Sequence, residues 1–191
     1  MDKDKALQLL TQGNERFSSG TFEQYNFSTE KRISLANKGQ HPYALIIGCS
    51  DSRVPPEIIF NSDLGELFVV RTAGNVVDSV CMGSIEYGAE HLHIPLIIVL
   101  GHEGCGAVQA TVDGGHSCGC LNEILKKINI SLEAVSDSDN LYIACENENI
   151  RNTIRQIKGN SVIAGLLEKG DVTVIGAKYG LRDGVVTFFD S

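Results

Sequence analysis

The sequence predicts an α/β fold: a parallel-core β-sheet flanked by helices, with a C-terminal hairpin strand at one edge. Three observations predict it. Short apolar runs alternate with amphipathic stretches, the pattern of strand–helix–strand units. Two of the runs, "YALIIG" and "PLIIVLG", are continuously apolar, as strands buried on both faces are. The last run, "GVVTFF", comes after its neighbour across "GLRDG", a turn signal suited to a hairpin.

Residues 4–18 read as a helix carrying Leu7, Leu9, Leu10 and Phe17. Residues 28–42 read as a short helix stopped by Gly39 and then Pro42. Strands are expected at 43–48, 66–71, 95–101, 171–179 and 184–189. A helix over 78–92 opens at an Asp78 cap and keeps Val80, Ile85 and Leu92 apolar. Residues 120–128 place Leu121, Ile124, Leu125 and Ile128 on one helical face, and 147–157 form another amphipathic helix. The polar stretch 131–140 reads as a loop. No repeat, low-complexity tract or domain boundary interrupts the pattern. The expectation is one domain over 1–191, with 1–40 as an N-terminal helical arm and 41–191 as the α/β core.

Composition narrows the function. The 191 residues are 42% hydrophobic and 21% charged, which is ordinary for a globular chain. A net charge of -8 argues against a nucleic-acid partner and favours a small substrate. The first residues, "MDKDKALQLLTQGNERF", do not form a signal peptide, and the apolar runs are too short to cross a membrane. A cytoplasmic protein is the expectation. Its six Cys are then thiols or metal ligands rather than disulfide partners.

Gly48 and Gly101 are expected to end their strands and to let the backbone turn. The residues just beyond them lie at the carboxyl end of a parallel sheet, where open α/β sheets place ligands. If the first and third strands are neighbours, about 4.8 Å apart, Cys49, Asp51, His102 and Cys105 converge. Two thiolates, an imidazole and a fourth group make a tetrahedral zinc site, and soft sulfur selects zinc over magnesium or calcium. Asp51 and Arg53 alternate along an extended stretch and face the same side. Arg53 is suited to fix the Asp51 carboxylate through a two-pronged hydrogen bond.

"CSDSRVPPE", "GELFVVRTAGN" and "GHEGCGAV" resemble the three signature segments of the β-class carbonic anhydrases, in the same order and at suitable spacing. The resemblance implies a strand order of about 2-1-3-4-5. It also implies one Zn2+ per chain, held by Cys49, His102 and Cys105, with Asp51 and Arg53 as the catalytic pair. The implied reaction is reversible hydration of carbon dioxide to bicarbonate and a proton, by attack of zinc-held hydroxide. Gln40 matches a Gln that binds substrate in the family's open form, and the chain lacks the Trp that marks its closed, bicarbonate-regulated form. Phe68 and Tyr87 match positions that line an apolar pocket, partly from a second subunit. Ala73 would complete that pocket, Gly74 and Asn75 form the loop beside the site, and Gly106 offers the backbone amide after the last ligand. Such helical arms embrace a partner in the family, so a homodimer or tetramer is expected.

Two other readings remain. The same fold and zinc site serve hydrolases of carbonyl sulfide and carbon disulfide. A zinc-stabilised binding or thiol-sensor protein would also carry the ligands, but would need neither Gln40 nor the Asp51–Arg53 pair. Cys81 and Cys145 are expected to be buried in helices, and "HSCGC" (116–120) to be an ordinary loop. His41, His91, His93 and His116 are candidates to relay protons.

Overall fold

The computed structural model describes residues 1–115 and 118–189. Its five-stranded sheet runs β2-β1-β3-β4-β5, the expected order. The strands are β1 (Ala44–Cys49), β2 (Leu67–Thr72), β3 (Leu96–His102), β4 (Thr173–Tyr179) and β5 (Val186–Phe189). β1 pairs in parallel with both β2 and β3, β3 pairs in parallel with β4, and β5 closes the edge antiparallel to β4.

Alternation in β1 and β3 feeds two apolar layers. Ala44, Ile46, Leu96, Ile98 and Leu100 point to one face, where α1 (Lys3–Ser19) and α3 (Pro56–Ile59) cover them with Ala6, Leu10 and Ile59, joined by Phe60 just after α3. Leu45, Ile47, Ile97 and Val99 point to the other, under α4 (Ser79–Glu86), α7 (Leu141–Lys158) and α8 (Ser161–Lys169). Each fully buried aliphatic side chain contributes about 1.5–3 kcal/mol of transfer free energy. That two-sided burial is why these strands read as continuous apolar runs. A third apolar cluster at the carboxyl end joins Cys49, Val76, Cys105 and Val108 to Ile128 and Cys145. It is formed with α5 (Gly106–Val112), α6 (Leu121–Glu133) and α7.

The structure corrects several local expectations. Gly48 and Gly101 lie inside β1 and β3, which continue to Cys49 and His102. Gly101 is needed for close packing rather than for a turn: a Cβ there would lie 2.5 Å from Ile150 Cδ1 of α7. Val80, expected on an apolar face, is 77% exposed. After α4 the chain widens into a π-turn over Tyr87–His91, and this rotation breaks the 3.6-residue period. α6 runs to Glu133, into the stretch expected to be a loop, and α7 begins at Leu141 rather than 147. α3, α5 and α8 lie outside the expected elements. The helix expected over 28–42 is α2 (Thr29–Lys38), capped by Ser28 and ended by Gly39 at φ 78°.

The N-terminal arm divides in two. α1 belongs to the core, with Leu7, Leu9 and Phe17 packed against its first layer. α2 buries no residue. Phe27 and Ile33 are exposed on it and just before it.

Candidate metal centre

The direction of the sheet builds the site. From β1 the chain crosses one way to β2 and then back across β1 to β3, so the order reverses between β1 and β3. Ligands of open α/β sheets bind at such a switch point. Cys49 is the last residue of β1 and His102 the last of β3. Cys105 comes one turn later, immediately before α5. Their ligand atoms all lie within 4.8 Å of one another. The two sulfurs are 4.0 Å apart. All three side chains are buried.

The donor set is prepared to receive a cation. His102 Nδ1 lies 2.8 Å from the Glu103 carbonyl oxygen, which can only accept, so Nδ1 carries the proton. Nε2 is left as a lone pair, buried and without a hydrogen-bond partner. An orphaned buried acceptor is costly unless something occupies the space before it. Cys49 Sγ accepts the N–H groups of Gly74 at 3.3 Å and Asp51 at 3.4 Å. Cys105 as hydrogen-bond partner is the largest influence drawing the Cys49 thiol down, and these N–H groups and His102 act in the same direction, against burial. Cys105 is pushed up by the negative sulfur of Cys49 and by burial. Burial pushes His102 down, but Cys49, the Glu103 carbonyl and Asp51 together raise it. Two sulfurs and the orphaned imidazole nitrogen converge within one cluster, a donor set that a divalent cation would complete.

Asp51 stands beside the cluster and meets Arg53 across a turn at Ser52–Arg53, not along the extended stretch expected. Its Oδ1 accepts from Arg53 N and Nε, both at 2.9 Å, and its Oδ2 accepts from Arg53 Nη2 at 2.7 Å. Oδ2 also lies 3.9 Å from His102 Nε2, so this oxygen faces the metal cluster. The Arg53 hydrogen bonds hold the Asp51 carboxyl well below the usual carboxylate range. Ala73 is half-buried next to the Gly74 amide that donates to Cys49. Gly106 opens α5 on the exposed side, where a Cβ would meet open space.

Other expected residues are not brought together with these. Gln40 is exposed and precedes β1, so it lies at the amino end of the sheet. Phe68 pairs with Leu45 near the start of β1, whereas Cys49 pairs with Thr72. The Tyr87 ring stands 6.2 Å from that of Phe68. His41, His91 and His93 are exposed on segments that enter β1 and β3, again at the amino end. Cys145 is buried and Cys81 is half-buried. Cys118 and Cys120 are exposed. His116 and Ser117 of "HSCGC" lie outside the described residues.

Several supporting residues were not anticipated. Arg71 Nε donates to the Cys49 carbonyl at 2.8 Å and its Nη2 to the Asp51 carbonyl at 2.6 Å, fixing the turn that carries both. Asn149 donates to the Gly74 carbonyl at 2.7 Å and Thr153 to that of Asn75 at 3.2 Å. Arg71 is signalled by a charge closing an otherwise apolar strand. Glu146, Asn149 and Thr153 form a polar line on α7, signalled only by helical spacing.

The carbonic anhydrase family model matches residues 44–186, most of the chain. The chain belongs to the β-class carbonic anhydrase family. Carbonic anhydrase 2 of Mycobacterium tuberculosis is 40% identical over 94% of this chain and 89% of its own length. A carbonic anhydrase of Mycolicibacterium smegmatis is 38% identical over 95% and 90%. Among solved structures, a tetrameric β-carbonic anhydrase of Sordaria macrospora superposes with a TM-score of 0.77 at 26% identity, covering 85% of this chain and 88% of that one. The cofactor of the family is zinc, and the buried Cys–His–Cys donor set with its orphaned Nε2 fits that ion.

Proposed function

We propose that the chain reversibly hydrates carbon dioxide to bicarbonate and a proton, the proton passing to solvent buffer, on one zinc ion held by Cys49, His102 and Cys105. The observation that carries this reading is the buried Cys–His–Cys cluster with the Arg53-clamped Asp51 beside it. A purely structural zinc clip needs no such carboxylate. When bound, zinc acts as a Lewis acid that makes water a nucleophile near neutral pH.

The chain's own residues do the rest. Asp51 is held ionised, so it acts as a fixed hydrogen-bond acceptor rather than as a reservoir for the proton. Its Oδ2 accepts the hydrogen of the attacking water and leaves the water's lone pair aimed at carbon. Arg53 keeps that carboxylate in place with two prongs, one on each oxygen, and ties it to the metal-ligand turn through the Gly104 carbonyl at 3.3 Å. Ala73 supplies an apolar wall, and Gly106 leaves room above the site while offering its amide to substrate oxygen.

Gln40, Phe68 and Tyr87 serve the site of a second copy in this reading, because in their own chain they sit at the other end of the sheet. The uncovered α2 with Phe27 and Ile33 supports a homodimer or tetramer. One domain over 1–191, with 1–40 as its arm, fits that assembly. A cytoplasmic setting is part of this reading, and no helix among the described residues is long and apolar enough to cross a membrane. The decisive experiment measures zinc content and carbon dioxide hydration on the same sample. One zinc per chain with no hydration would overturn the reading, and turnover of carbonyl sulfide or carbon disulfide instead would redirect it.

A further inference from the structure

Glu146 is out of place by the logic of packing. It lies one turn before Ile150 on α7, whose Ile150, Ile154 and Ile157 are all fully buried against the sheet. Glu146 is itself only 6% exposed. A lone buried carboxylate is costly, and here both oxygens are engaged. Oε2 pairs with Lys178 Nζ at 2.8 Å. Oε1 accepts the N–H of Gly104 at 2.8 Å and that of Cys105 at 3.4 Å. Lys178 in turn donates to Asn147 Oδ1 at 2.9 Å. A buried ion pair is a poor device for stability alone, since apolar side chains of similar volume often do as well.

The backbone it holds explains its presence. Gly104 turns the chain at φ 61° between the last residue of β3 and Cys105. Its N–H points to Glu146 and its carbonyl accepts Arg53 Nη2 at 3.3 Å. This one turn is thus clamped between Glu146 on one side and the Asp51–Arg53 pair on the other, and Cys105 hangs from its end.

We propose that Glu146, neutralised by Lys178, is a positioning residue of the metal centre. It sets the Cys105 sulfur and the Arg53 acceptor together through the Gly104–Cys105 backbone. The inference rests on the reading of Cys105 as a zinc ligand. Residues that orient ligands from behind typically change metal affinity or activity by about 10–100-fold when removed. Room exists to test this. The pair borders a cavity of about 770 Å³ that Arg151, Asp183 and Phe189 also line, so truncated side chains there meet space rather than packed core.

The test compares Glu146→Ala, Glu146→Gln and Lys178→Met with the wild-type chain. Zinc dissociation constants are measured by chelator competition, and absorption spectra are recorded on cobalt(II)-substituted protein, whose thiolate and d–d bands report ligand geometry. Glu146→Ala is expected to weaken zinc about 10–100-fold and to alter the cobalt bands. Glu146→Gln keeps an acceptor for the Gly104 N–H and should recover most of the loss. Lys178→Met should fall between the two. Zinc affinity within twofold of wild type and an unchanged cobalt spectrum in Glu146→Ala would overturn the proposal, even if its melting temperature drops. Should that variant not fold, Glu146→Asp decides in its place: it keeps the charge but withdraws the carboxylate by one methylene, and unchanged affinity and spectrum there would count equally against it. A wild-type chain that binds no zinc would instead bring down the reading of the cluster, and this inference with it.

Discussion

Replacing Asp51 by Asn isolates the chemistry of one oxygen. Asp51 receives three hydrogen bonds from Arg53, two on Oδ1 and one on Oδ2. An Asn in this position keeps its carbonyl where Oδ1 was, because two donors meet there. Its amide NH2 then falls where Oδ2 was, facing the Arg53 prong and, 3.9 Å away, His102 Nε2. The acceptor turned toward the reacting water becomes a donor. Loss of one preorganised group of this kind costs about 10²–10³-fold in turnover, so hydration is expected to fall about 100-fold or more. Zinc should remain, since no ligand changes, and the melting temperature should move little, since Arg53 is 55% exposed. Stopped-flow hydration with an indicator dye, set against zinc content by mass spectrometry, reads both quantities. Turnover within about threefold of wild type at full zinc would refute the reasoning, for an oriented acceptor would then be unnecessary.

The same geometry fixes other outcomes. Cys49→Ala, His102→Ala and Cys105→Ala should each lose zinc and hydration together, and full zinc retention in any of them would remove that residue from the ligand set. Hydration should rise from about pH 6 to about pH 9 at constant zinc, because two thiolates cancel the ion's charge and leave its water less acidic than the value of about 7 reached with three neutral His. Asp51 does not set that profile: its carboxyl is held below the usual range by the Arg53 hydrogen bonds, so its contribution is present above the ordinary carboxylate range and lost only as pH falls through the depressed value. A flat profile would show that the thiolate argument is wrong. Gly101→Ala should destabilise the chain by about 1–3 kcal/mol, as overpacking does, since its Cβ would press on Ile150; an unchanged denaturation midpoint would show that α7 shifts freely. Phe27→Asp or Ile33→Asp should shift light scattering toward smaller species with less activity, and a fully active monomer would defeat the role given to the arm.

Strand register decides how much of the site is legible in the sequence. Cys49 and His102 are visible because each closes an apolar run, and a run buried on both faces fixes its own register strongly. Parallel pairing of β1 with β3 then puts the two side by side with no further information. α8 escapes a pattern reading because "SVIAGLLEK" is short and its apolar run is interrupted by Gly165, so its period is blurred. Val80 misleads because an apolar residue on a short helix reads as core, although it faces outward at 77% exposure. Gln40, Phe68 and Tyr87 can be matched by motif, yet their own chain places them far along the sheet from Cys49. In the proposed reading their role falls to the site of a second copy, which one chain's pattern does not contain.

Glu146 shows the other limit. Its partners, Gly104 and Lys178, are distant in sequence, and helical spacing alone marks its position for an aliphatic residue like Ile150. Periodicity reports which face is buried, but not what a buried polar atom must reach. On α7 that face carries two kinds of residue in turn. Ile150, Ile154 and Ile157 hold the helix to the sheet, while Glu146, Asn149 and Thr153 reach the backbone of the two loops that end in the metal site. The apolar residues must come first energetically, because only a helix already fixed by them can offer polar groups to a loop at hydrogen-bond distance. Strand register thus brings the ligands to the same end of the sheet, and the buried polar line on α7 holds the turn that carries Cys105 and the loop whose Gly74 amide reaches Cys49. The first arises from a pattern of side-chain types, and the second from distances that only the folded chain creates.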